Sequence, residues 1–485
     1  MAMTVGRAVV IGSGLSGVST AILLAEDGWQ VDILERHSIP GGLMQRYRRG
    51  DCRFDTGFHL LSSAQPGGVL RAILARLGTL EQTHFLAPDP QAQFVMHLPG
   101  ELSLAVPPGL AGAQAAASQA WPEQGPAIAR FFNLLRARLA ANPYLSNLAE
   151  GQPLEAVDPS WSVDQVLLDC GVEGPARTLL GSAASILAMR AESCPFDLYA
   201  AFAGSSFAGA WRVADGGDGL MGPLLARAQG LGARLHRRCP AERIEHDGQR
   251  VSLVQDGRGG QYPCDLVVAA CHPDEVWRLV GDDGLRPSFK ARLQEVPDSD
   301  GAVLLAARLD SSAEELGRRH HLLRLADGGD VYLVAPDRWQ EGIVPCLEAM
   351  LWVPVDQVAA FRQTRLGARN PAYEAWKQSQ EERLRTAIEE RFPRVAASIT
   401  KVWTASPLTF RDYLGGRHGG AMGLSHHLGG GLADRPLSPR SKLRNLLFTG
   451  QSVHHPGILG SLVGGCVTAG AILGRNLTEE VLAHR

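Results

Sequence analysis

Residues 8–35 read AVVIGSGLSGVSTAILLAEDGWQVDILE. Residues 8–11 are a short apolar run of β type. Gly12, Gly14 and Gly17 follow in G-x-G-x-x-G spacing, and residues 18–25 continue with helix-compatible types and no proline. The order is strand, tight turn, helix. A second apolar run, residues 31–34, ends in Glu35, eighteen positions past Gly17, close to where a ribose-binding acid is expected after such a turn. Gly12 permits the turn, Gly14 lets a pyrophosphate approach the backbone and Gly17 lets helix and strand pack closely. The free N–H groups at the helix start, at Leu15 and Ser16, face the phosphates. With 55 glycines in 485 residues, the spacing alone would also fit a turn in an unrelated α/β domain. Strand, helix, strand and terminal acid together read as a dinucleotide site.

Arg36 is followed by a loop holding Pro40, Gly41 and Gly42. Paired glycines there suit a second phosphate-side loop, since backbone must approach ligand with no Cβ in the way, although an ordinary turn would look alike. Residues 52–54 are strand-like, and Asp55, Thr56 and Gly57 form a turn. From about residue 80 to 207 alanine and leucine rise. Within this region residues 127–139, AIARFFNLLRARL, carry apolar residues at helical spacing with Arg130, Arg136 and Arg138 between them. Such a helix either lies on a membrane surface, making a peripheral contact, or packs on the core with its arginines in water.

Residues 209–222, GAWRVADGGDGLMG, form another glycine cluster. Residues 234–254 and 265–270 then read as strands returning to the nucleotide-binding sheet. Residues 273–402 mix strand-like segments (302–309, 331–334 and 349–354) with a polar helix over 372–391. Near the end, residues 445–449 read as a strand, 450–457 as a loop and 458–473 as a helix whose small residues allow close packing against a flat ligand or another helix. The expected fold is α/β, a Rossmann-type parallel sheet with helices intertwined with a mixed α+β substrate domain. The first would take residues 1–80, 205–272 and 403–485, and the second 81–204 and 273–402.

The length can bury a large core, and 45% hydrophobic with 20% charged residues reads as globular. A formal charge of −3 offers no footprint for nucleic acid. The cysteines, at 52, 170, 194, 239, 264, 271, 346 and 466, show no C-x-x-C or zinc spacing and read as core residues of a reducing compartment. A nucleotide-binding strand beginning by Ala8 leaves no room for a cleaved signal peptide, so a cytoplasmic location is expected. No run reads as a transmembrane helix. Oligomeric state is not addressed by these features.

Four spaced blocks resemble the flavin-dependent family of phytoene desaturases, carotenoid isomerases and retinol saturases. They are residues 12–42, FDTGFH at 54–59, GAWRVADGG at 209–217 and NLLFTGQSVHHPGILGSLVGG at 445–465. The ending is most similar to retinol saturases, whereas Ala214 and Asp215 ahead of Gly216 and Gly217 depart from the usual Tyr-Pro-Gly-Gly form. The resemblance implies FAD. It also implies that Gly450 and Gln451, with the backbone N–H groups of Gly457, Ile458 and Leu459 at a helix start, close the flavin end, and that Ala241 lies against the adenine. No second dinucleotide fingerprint follows, so reduction would draw on a transiently bound nicotinamide such as NADPH, or a protein donor.

The implied substrate is a lipophilic polyene. The favoured reaction is saturation of a double bond by hydride from flavin N5, with a proton from His59, Tyr413, His426 or His454; His427 and His455 lie beside these. Desaturation, isomerisation, or reductive cyclisation of polyenes related to polycyclic tetramate macrolactams are the alternatives. An amine oxidase of the same fold would need an aromatic cage and often a lysine near N5, and the last block offers no aromatic pair. The paired histidines have no acid or cysteine at ligand spacing, so no metal is expected.

Overall fold

A computed structural model describes residues 6–57, 60–146, 158 and 160–485. Strand β1 (Arg7–Ile11) leads through the glycine turn into helix α1 (Leu15–Glu26) and back to strand β2 (Gln30–Glu35). Both strands are buried along all but their first residue, as expected of strands covered on both faces. They stand in a five-stranded parallel sheet in the order Arg234–Arg237, β2, β1, Leu266–Ala269, Leu446–Phe448. In register, Val9 pairs with Asp32 on one side and Val267 on the other, and Val268 pairs with Leu447. The sheet gathers strands from both ends and the middle of the chain.

Residues 241–263 depart from the expected return to this sheet. Ala241–His246, Val251–Asp256 and Gln261–Pro263 form a separate three-stranded antiparallel sheet. Their alternation is the same whichever partner they choose, so periodicity could not separate the two outcomes.

The second layer is a seven-stranded mixed sheet in the order Ile399–Ala405, Gly301–Leu309, Cys346–Val353, Asp330–Val334, His320–Arg324, Phe94–His97, Ser103–Val106. Its odd-numbered residues Val303, Leu305, Leu351 and Val353 pack with Leu384 and Ile388 of the helix Pro371–Arg391. The even-numbered Met350 and Trp352 project from the other face, toward the parallel sheet. Asn370 starts that helix by accepting the N–H of Tyr373 through its side chain.

The helix Gly125–Ala141 contains the amphipathic stretch and buries Ile128, Phe131, Phe132, Leu134, Leu135 and Leu139 in the main core. Arg130 pairs with Asp169 and Arg138 with Asp197. Its apolar face is therefore spent on protein, and the membrane-surface alternative for this helix is not the one adopted. Among the described residues no helix is long and apolar enough to cross a membrane.

Candidate active site: a cavity between two sheets

A cavity of about 370 Å³ opens at the C-terminal edge of the parallel sheet, where Ile11, Leu34, Ala270 and Thr449 line it, and runs toward the mixed sheet at Met350 and Trp352. The three fingerprint glycines hold this edge for different reasons. Gly12 has φ +104°, and a Cβ there would lie 2.8 Å from the Ala270 carbonyl oxygen. A Cβ on Gly17 would lie 2.3 Å from the Gly12 carbonyl oxygen, so only glycine lets α1 sit against the turn. A Cβ on Gly14 would meet nothing within 4 Å and would project into open space. Gly41 and Gly42 also have positive φ, and a Cβ on Gly42 would come within 3.2 Å of the Gly14 Cα, so the second loop is pressed onto the first.

Every residue expected to hold the cofactor lines this one cavity. Gly12, Gly14, Leu15, Ser16 and Gly17 form the turn and the first turn of α1; Glu35, Arg36, Gly41, Gly42 and Ala241 flank them; Gly450, Gln451, Gly457, Ile458 and Leu459 complete it from the C-terminal segment. Glu35 is buried, and its carboxylate accepts hydrogen bonds from the Ser13 N–H (3.0 Å), the Ser13 hydroxyl and the His37 N–H (2.8 Å).

Two helix N-termini meet the cavity. Neither α1 nor the helix Gly457–Leu473 has a side-chain cap or an acid in its first turn, so their orphan N–H groups stay available to anionic groups. The helices also pack on each other. Ser16 Oγ donates to the Ser461 carbonyl at 2.8 Å, Thr20 Oγ1 to the Gly465 carbonyl at 3.2 Å, and a Cβ on Gly465 would lie 2.0 Å from Ser19 Oγ. A dinucleotide with a diphosphate at one helix start and an electron-rich ring at the other fits this arrangement, with Glu35 available to a ribose.

The expected proton donors are placed differently from one another. Tyr413 lines the cavity, but at the Glu35 end. Its ring stands edge-on to His37 at 5.4 Å, because Arg36 donates to the carbonyls of Asp412 and Tyr413 and so anchors the C-terminus of the helix Pro407–Leu414 there. His426 and His454 are not among the lining residues. The His426 Nε2 bonds the Gln451 carbonyl at 2.8 Å, and the His454 Nε2 bonds Thr468 Oγ1 at 3.1 Å. Burial lowers both to about 4, so both rings are neutral near pH 7. His427 bonds Ser425, and burial lowers the pKa of His455. His59 lies outside the described residues, between Gly57 and Leu60, which both line the cavity. Among the described residues no His, Cys, Asp and Glu group is arranged to hold a metal.

Several lining residues carried no sequence signal. Ile186, Leu187, Phe202, Trp352 and Phe410 add apolar surface to the lining. Phe202 sits on a π-helical turn, Ala200–Gly204, and its carbonyl accepts the hydroxyls of Ser205 (3.0 Å) and Ser206 (2.7 Å) as well as a backbone N–H. Its ring lies against Gly457, where a Cβ would come within 3.1 Å. Behind Thr56 and Gly57, Asp55 joins two of the sequence blocks. Its carboxylate pairs with Arg46 at 3.1 Å and Arg212 at 3.2 Å and accepts the Gly217 N–H, while its own N–H donates to Glu348. The chain's four lysines, at 290, 377, 401 and 442, are all absent from the cavity lining.

Among known families, residues 10–77 match the NAD(P)-binding Rossmann-like domain, and residues 164–437, more than half of the chain, match the FAD dependent oxidoreductase family. All-trans-retinol 13,14-reductase of Homo sapiens is 22% identical over 98% of this chain and 86% of its own. Hydroxyneurosporene desaturase of Cereibacter sphaeroides is 26% identical over 100% of this chain and 99% of its own. A solved putrescine oxidase superposes with a TM-score of 0.66 at 16% identity, covering 97% of this chain and 99% of that one, which is a likeness of fold.

Proposed function

Because the chain belongs to the FAD dependent oxidoreductase family, we propose that it uses FAD to reduce a double bond of a long, apolar, conjugated polyene. The observation that carries this reading is the apolar lining of the cavity, to which Ile186, Leu187, Phe202, Trp352 and Phe410 contribute. The carboxylates that line the cavity among the described residues, Glu35 and Glu275, stand on the nucleotide side with Arg36 and Arg278, and no lysine is present. That wall suits a neutral hydrocarbon, and the lining lacks the lysine often found near N5 in amine oxidases. The relatives' names, a retinol reductase and a carotenoid desaturase, support the same substrate class.

In this reading Gly14, Leu15 and Ser16 receive the pyrophosphate, Glu35 takes the ribose hydroxyls and Ala241 lies by the adenine. The N–H groups of Gly457, Ile458 and Leu459, with Gly450 and Gln451 alongside, stabilise negative charge on the ring system. Bound FAD supplies the hydride for saturation, and NADPH docking transiently is the proposed source of electrons. The apolar walls hold the chain and exclude water. His59 is assigned the proton that must follow. His59→Gln should retain flavin and lose the acid-dependent limb of the pH–rate profile; an unaltered profile would remove it from the reaction. Loading of so apolar a substrate is proposed to occur at a membrane surface, with flotation on lipid vesicles as the check.

The whole-chain likeness to a desaturase favours dehydrogenation as the second reading. Anaerobic, dithionite-reduced protein mixed with candidate polyenes distinguishes them. A product heavier by two mass units supports saturation. Product lighter by two units, formed only by oxidised protein, supports desaturation, and unchanged mass with altered retention supports isomerisation.

A further inference from the structure

Ser13 occupies the first variable position of the glycine fingerprint and is fully buried. Its N–H donates to Glu35 Oε2 at 3.0 Å, and its hydroxyl donates to the same oxygen. The hydroxyl oxygen in turn accepts the Gly41 N–H at 3.1 Å. The other Glu35 oxygen accepts the His37 N–H at 2.8 Å. One hydroxyl therefore ties the ribose-facing acid to the second glycine loop, which itself presses on Gly14. A serine hydroxyl has one proton and two lone pairs, so both contacts are made at once. With three donors on its carboxylate, Glu35 cannot swing aside without leaving buried groups unpaired.

From this geometry we infer that Ser13 is a positioning residue that fixes Glu35 before ligand arrives, and so makes the site select adenosine with a free 2′-hydroxyl over adenosine carrying a 2′-phosphate. A fixed carboxylate accepts hydrogen bonds from ribose hydroxyls and repels a phosphate dianion at the same place. A 2′-phosphorylated nicotinamide donor would consequently have to dock elsewhere on the protein. The inference rests on the assignment of Glu35 to the ribose.

The test uses flavin-free full-length protein and calorimetric titration with three probes: ADP, which carries the ribose; adenosine 2′,5′-bisphosphate, which carries the added phosphate; and FMN, which lacks adenosine. Ser13→Ala should weaken ADP about tenfold, leave FMN within about twofold and narrow the preference for ADP over the bisphosphate. Ser13→Gly, which keeps the N–H donor and removes the hydroxyl, should do the same. In a Glu35→Gln background Ser13→Ala should have little further effect on ADP. Equal weakening of ADP and FMN, or unchanged ADP binding, would overturn the positioning role. Failure of the unsubstituted protein to bind ADP would instead overturn the assignment of Glu35.

Discussion

Asp55 and Arg212, 157 positions apart in the chain, form an ion pair of 3.2 Å in which neither side chain is more than 4% exposed. The pair holds the strand end carrying cavity residues Thr56 and Gly57 against the glycine cluster that starts a helix at Gly216. Removing Asp55 takes a shared buried carboxylate from Arg46 and leaves Arg212 with only the more distant Glu348, at 3.8 Å, which costs up to about 3–5 kcal/mol. Asp55→Ala should therefore lower the unfolding free energy, read from denaturant titration, by an amount of that order. A loss under about 1 kcal/mol would mean that Glu348 or water takes over the charge of Arg212.

The fingerprint glycines should respond unequally to substitution. Gly14→Glu has space for its side chain but aims a carboxylate at the helix N-terminus proposed to receive the pyrophosphate, so the protein should fold and emerge colourless. Gly17→Ala, with its Cβ 2.3 Å from the Gly12 oxygen, should instead reduce soluble yield and thermal stability. Retention of flavin by Gly14→Glu, read from its visible absorbance, would move the pyrophosphate away from this turn.

Acid should destabilise the protein through its buried histidines. Burial lowers His97 to about 3 and His321, His426 and His454 to about 4. The unfolded chain binds these protons near pH 6.5 while the native state refuses them, so their stabilising contribution is complete above that value and is lost as pH falls toward 4. Together they should cost about 4 kcal/mol between pH 6.5 and 5.5. Urea unfolding at the two pH values measures this, with His320, which burial lowers well below its ordinary value, adding to the drop, and His97→Gln should make the drop smaller.

Gly465 lies far along its helix from Gly457, yet it controls how closely that helix sits on α1. Gly465→Ala should force the two apart around Ser19, at a cost of about 1–3 kcal/mol, and move the start of the helix at the cavity. Flavin affinity should fall at least tenfold. Val467→Ala, at a position 40% exposed on the same helix, is the control and should leave affinity unchanged.

What could be read directly from the chain were positions where backbone geometry dictates residue type. Gly12 and Gly17 have no allowed substitute, and Glu35 follows them at a distance fixed by one helix and one strand. The apolar wall was illegible because Phe202, Trp352 and Phe410 are ordinary core residues until two sheets bring them together. Two of the expected proton donors, His426 and His454, stand away from the lining for a related reason. Nearness in sequence to a motif says nothing about direction, and His426 turns its Nε2 to the Gln451 carbonyl instead of the cavity. Tyr413 follows its helix end, which Arg36 holds beside Glu35.

The order of strands in the parallel sheet has a consequence for biosynthesis. β1 and β2 leave the ribosome early, but their sheet acquires its edge strand Leu446–Phe448 and the helix Gly457–Leu473 only as translation ends. Until then Ser16 and Thr20 on α1 lack the carbonyls of Ser461 and Gly465, and the nascent first module cannot close around a ligand. Long-range pairings of this kind also fold slowly. The cavity is thereby complete only once the last helix has been made, so a prematurely terminated copy lacks the wall that Gly450, Gln451 and Gly457 supply.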